Sequence, residues 1–90
     1  MFDRQVEVKL QWQLEIINLI ELGAALSEVK AFGTKTTRKE VWEALSVAFN
    51  VKLERPESAL SQLKHRKMNP TRFLDTLTES IHNLIEKSLD

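Results

Sequence analysis

From Ser58 to Lys67 the sequence runs Ser58-Ala59-Leu60-Ser61-Gln62-Leu63-Lys64-His65-Arg66-Lys67: hydroxyl and amide side chains between apolar ones, then a basic end. On a helix turning about 100° per residue, Leu60 and Leu63 mark a buried side, so Ser58, Ser61, Gln62 and His65 point outward with Lys64, Arg66 and Lys67 around the edges. Such residues suit duplex DNA, because hydroxyl and amide groups hydrogen-bond base edges in the major groove while lysine and arginine hold phosphates. Lys35, Arg38 and Lys39 lie where the preceding helix begins, and would add phosphate contacts as the first helix of a helix-turn-helix does. The bland reading is that Lys64 to Lys67 merely complement the dipole at a helix C-terminus. Residue types leave both readings open. His65 likewise reads either as a base or phosphate contact or as a solvated imidazole.

Net charge does not decide between them, since 13 Lys+Arg balance 13 Asp+Glu in 90 residues. The distribution is more telling. Residues 35–72 hold nine basic and four acidic residues, whereas 1–34 and 73–90 are both net acidic. Segregation of this kind gives one face a positive potential on a neutral molecule.

The elements that must position these residues follow from apolar spacing. Val6 to Trp12 alternates apolar and polar, as a half-buried strand or a frayed helix start would, and Val51-Lys52-Leu53 alternates again. A small two-stranded element pairing 6–12 with 51–53 is therefore open. From Leu14 to Val29 apolar residues dominate and Glu15, Asn18 and Glu21 form a narrow polar stripe, the pattern of a mostly buried helix. Gly23 within it costs about 1 kcal/mol relative to Ala, which a close helix crossing would offset. Gly33 is available for positive φ after this helix. Thr37-Arg38-Lys39-Glu40 fits a capping box, opening a helix that buries Val41, Trp42, Leu45, Ala48 and Phe49 and stops at Asn50. Pro56 starts the candidate recognition helix, 57–67, and Asn69-Pro70 precedes a long amphipathic helix carrying Phe73, Leu74, Leu77, Ile81, Leu84 and Ile85. Trp12 and Trp42 fall in phase with apolar neighbours and read as core anchors.

The expected fold is mainly α: one domain over residues 1–90, of four helices, helix-turn-helix or winged-helix-like. Asn50 to Arg55 is long for a helix-turn-helix turn, and no hairpin signal for a wing follows the third helix. Catalysis is not expected, because GxSxG, Gly-rich phosphate loops, HExxH and cysteine are all missing. Without cysteine, and with His65 and His82 far apart, neither a metal nor a cofactor is expected. A soluble, cytoplasmic protein follows from the lack of an 18-residue apolar run or a signal-peptide layout at the N-terminus.

Several stretches then look familiar together: Leu10-x-Trp12, Leu19-x-Glu21-Leu22-x-x-Ala25-Leu26, Lys39-Glu40-Val41 leading to Phe49-Asn50-Val51-x-Leu53, and Arg66-Lys67 followed by Thr71-Arg72-Phe73-Leu74-Asp75-x-Leu77. In order and spacing, over roughly residues 10–85, they resemble the C-terminal domain of the RteC family. The resemblance implies a helical, winged-helix-like DNA-binding regulator associated with bacterial conjugative transposons, a family that activates excision genes. It also implies that Arg66, Lys67, Thr71 and Arg72 lie at or beside the DNA-contacting surface. Pro70 departs from the pattern, standing where the family usually has a basic residue. The expected partner is double-stranded DNA, a homodimer being compatible with it; neither a membrane nor a small-molecule substrate is expected. The alternative is a protein-interaction or dimerisation module that uses the C-terminal helix, whose Asp75, Glu79 and Glu86 would repel DNA.

Overall fold

The computed structural model describes residues 10–88, in which four helices follow one another: α1 (Ile16–Glu28), α2 (Arg38–Ala48), α3 (Pro56–Lys64) and α4 (Arg72–Ser88). Their boundaries have local causes. At the start of α2 the Glu40 amide donates to the Thr37 hydroxyl (3.1 Å) and the Thr37 amide donates to the Glu40 carboxylate (2.8 Å), the expected capping box. The bonds from the Thr37 backbone and then its side chain hold the Glu40 carboxyl below its ordinary range. At the far end Asn50 takes a left-handed conformation (φ 51°), and the Asn50 and Val51 amides close back on the carbonyls of Val47 and Ser46. The same closure ends α1, with Lys30 at φ 60° and bonds from Lys30 and Ala31 to Ser27 and Leu26. So α1 stops before Gly33, which supplies its positive φ (95°) to the following loop instead.

The candidate recognition helix is shorter than 57–67. It begins at Pro56, after a left-handed Arg55 (φ 51°), and ends at Lys64. His65 and Arg66 donate only to the carbonyls three residues back, a tightened last turn, and the chain must then leave the helical path before Asn69-Pro70.

Helix α1 is the hub, packing against each of α2, α3 and α4. The core comprises Leu19 and Ile20 from α1, Val41 and Trp42 from α2, Leu63 from α3 and Phe73 from α4. Gly23 sits where α1 crosses α2: a Cβ there would overlap Trp42 Cδ1 and stand 2.7 Å from its Nε1. Glycine lets the Cδ1–Nε1 edge of the indole approach the α1 backbone, and its Nε1 donates to the Ile20 carbonyl at 3.1 Å. Trp12 serves a second junction. Its ring stacks on Phe49 (5.7 Å) and meets the edge of Phe73 (6.0 Å), tying the segment before α1 to the end of α2 and the start of α4.

No strand occurs among the described residues, which corrects the β element for 10–12 and 51–53; residues 6–9 lie outside them. The alternation reflects a corner contact. The Trp12 amide donates to the Phe49 carbonyl (3.1 Å), Gln11 Nε2 donates to the Asn50 carbonyl (3.0 Å), and Asn50 Nδ2 donates to Gln11 Oε1 (2.9 Å). Residues 49–55 separate α2 from α3, more than a simple helix-turn-helix turn. No wing hairpin is present among the described residues, so the class that stands is a four-helix, all-α fold. No helix there is long and apolar enough to cross a membrane.

Candidate nucleic-acid interface

With Leu63 buried and Ala59 and Leu60 half-buried against α1, the remaining face of α3 presents Ser58, Ser61 and Gln62 to solvent, as the spacing requires. His65 caps this helix and is exposed, its Nδ1 lying 2.8 Å from the Ser61 carbonyl. A carbonyl only accepts, so Nδ1 is the donor in this contact.

Basic residues gather at both ends of α3. Near its N-terminus, Lys39 is exposed and shares a cleft with Pro56, and Lys35 is exposed in the loop before α2. Arg38 is committed differently: its Nη2 meets Glu57 Oε1 at 2.8 Å, with the guanidinium 5.5 Å above the Trp42 ring. It therefore ties the start of α2 to the start of α3. Past the C-terminus, Arg66, Lys67 and Arg72 line one shallow concavity of about 570 Å³. Arg66 is half-buried, and it and Arg72 also line a cleft against Leu14 and Phe73. Lys64 stands apart, on a cleft between α1, α3 and α4. The Thr71 hydroxyl is engaged locally, donating towards Asn69 Oδ1 (3.1 Å) and Asp75 Oδ1 (3.4 Å), while Asn69 Nδ2 donates to Asp75 Oδ2 (2.6 Å). Among the described residues only Arg38 and Lys52 make ion pairs, leaving the positive charge of Lys35, Lys39, Lys64, Arg66, Lys67 and Arg72 uncompensated at close range.

Nine residues at about 1.5 Å each make α3 roughly 13 Å long. Basic residues thus stand near each end of a helix of this length, whose solvent face is polar.

One residue was misplaced by the helical stripe. Glu21, grouped with Glu15 and Asn18 as polar surface, is only 5% exposed. Its Oε2 accepts from the Leu74 amide at 2.9 Å, so a carboxylate of α1 caps the first turn of α4. A signal existed in the sequence, since Glu21 is flanked by Leu19, Ile20 and Leu22, the most apolar stretch of its helix. The partner, a backbone amide 53 positions away, left none.

No curated protein and no solved structure matches the chain. Residues 2–88 match the model of the family described as RteC protein, nearly the full length and spanning all four helices. In agreement with the ordered motifs from Leu10 to Leu77, the chain belongs to the RteC family.

Proposed function

We propose that this chain is a DNA-binding regulator of conjugative-transposon excision genes, with α3 entering the major groove. The observation that carries the reading is the exposed Ser58, Ser61 and Gln62 face of α3 with exposed basic residues near both ends of the helix. Membership of the RteC family supports the same role. On this reading Lys35, Lys39, Arg66, Lys67 and Arg72 contact phosphate, Arg38 positions α3 through Glu57, and Gln62 with the two serines reads base edges. Lys64, His65 and Thr71 border that surface. The role is non-catalytic and cytoplasmic and requires no cofactor.

Titration with mixed-sequence duplex at increasing salt tests it. The double variant Arg66→Ala/Lys67→Ala should bind all sequences more weakly and flatten the slope of log K against log salt by about one unit per residue. An unchanged slope would remove this surface from the interface. Gln62→Ala should chiefly relax sequence preference.

A second reading rests on the outer part of α4, where Leu77, Ile81, Leu84 and Ile85 are 40–57% exposed. The Ser88 hydroxyl beside them donates to the Leu84 carbonyl, four residues back in the same helix, at 3.0 Å. On this reading two copies associate through α4, with or without DNA. Sedimentation showing a dimer that Leu84→Asp dissociates would establish it, and a monomer at all concentrations would dismiss it.

A further inference from the structure

We infer that the loop between α3 and α4 takes the place of a wing, with Met68 as a wedge that enters a base step from the minor groove and kinks the duplex. The inference rests on the DNA reading and adds a second mode of contact to it. Met68 is 86% exposed, more than any other large apolar side chain among the described residues, so it contributes nothing to the core. Its setting separates it from an apolar residue scattered on a surface. Arg66, Lys67 and Arg72 line one concavity of about 570 Å³ together with Met68 and Asn69, and no carboxylate lines it. None of these three cations makes an ion pair among the described residues. The loop is also tied on both sides of Met68. Before it, the His65 and Arg66 amides donate to the Gln62 and Leu63 carbonyls (3.1 and 3.2 Å). After it, Asn69 accepts from the Thr71 amide through Oδ1 (3.1 Å) and donates to Asp75 Oδ2 through Nδ2 (2.6 Å).

With α3 in the major groove, the chain beyond its C-terminus meets the phosphate backbone and then the adjacent minor groove. Arg66, Lys67 and Arg72 suit that backbone, and the apolar side chain between them has no partner in the protein. Unstacking a base step is costly, but burial of an apolar wedge and the closer approach of flanking cations to phosphate offset it. A loop held at both ends gives up little conformational freedom when it inserts. Pyrimidine–purine steps such as TA unstack most readily, so the wedge selects sequence at a position whose base edges α3 does not touch.

The experiment titrates the full chain into two duplexes of equal length and composition, one with TA steps and one in which the same bases form A-tracts. Energy transfer between end labels reports bending, and a fluorescent aminopurine beside a TA step reports unstacking. The chain should kink the TA duplex by roughly 20–90°, raise the aminopurine signal and bind this duplex more tightly than the A-tract one. Met68→Gln, similar in length but polar, should lose all three effects while the slope of log K against log salt is unchanged, since the phosphate contacts remain. Met68→Leu should keep them. Both substitutions fall on a side chain outside the core, so the fold tolerates them. Binding that leaves the TA duplex straight and stacked would overturn the wedge while the DNA reading stands, as would a kink and aminopurine signal unchanged in Met68→Gln. No binding to either duplex at low salt would overturn both.

Discussion

Helices α1 and α4 are both amphipathic in sequence, yet α1 is enclosed by three neighbours while α4 is held only at its first turn. Leu19 and Ile20 of α1 are fully buried, and even its glutamate at position 21 is drawn inside. On α4 only Phe73 is buried and Leu74 half-buried, after which Leu77, Ile81, Leu84 and Ile85 present the same kind of apolar spacing to open space. Helical periodicity says which face of a helix requires cover; it says nothing of what provides it. Among the described residues, Trp42, Leu63 and Phe73 supply cover for α1, whereas Leu77, Ile81, Leu84 and Ile85 of α4 stay exposed.

The sharpest way to break this comparison is at the α1–α2 crossing. Trp42→Ala removes the largest buried side chain, its bond to the Ile20 carbonyl and the ring over Gly23, and should cost about 3–5 kcal/mol, measurable by urea denaturation. A loss below about 1 kcal/mol would mean that the crossing is not the organising contact.

Thr37→Ala should have a smaller effect, about 1 kcal/mol, because it removes one cap while the helix it starts stays packed. Glu40 adds a pH dependence of known sign. Its carboxyl titrates lower in the folded than in the unfolded chain, so its contribution is complete near neutrality and is lost as pH falls through the folded-state value. Melting temperatures of the wild type and Glu40→Gln should therefore converge on acidification; a constant difference would indicate that the carboxylate is not part of the box.

The smallest effect belongs to α4. Ile81→Ser, on an apolar face that is about half exposed, should change monomer stability by no more than about 0.5 kcal/mol. A loss several times larger, growing with protein concentration, would show that a second copy covers this face in solution.

Sequence patterns located four helices and the details that depend on neighbours in the chain. The Thr37–Glu40 box, the left-handed Asn50 and Pro56 in the first turn of α3 are all decided by side chains within four residues of the backbone they serve. Alternation misled at 10–12 and 51–53, because a period of two marks residues with one face covered and not the ladder that covers them. Trp12 and the Gln11–Asn50 amide pair dock that segment on the corner of α2. The candidate interface was legible in its residue types. Its grouping was not: Arg66, Lys67 and Arg72 share one concavity, Lys64 belongs to another, and Arg38 is bound to Glu57.

What the sequence by itself determined, then, was the local part: helix ends, the polar face of α3 and the concentration of positive charge in residues 35–72. Only the tertiary structure decided that Glu21 is an interior cap for α4, that Gly23 is a seat for Trp42 and that the far half of α4 stands bare. The physical reason is common to all three. Turn chemistry and helical phase act over a few residues of one chain segment, whereas burial and the pairing of a carboxylate with a distant amide depend on which surfaces the packing brings together.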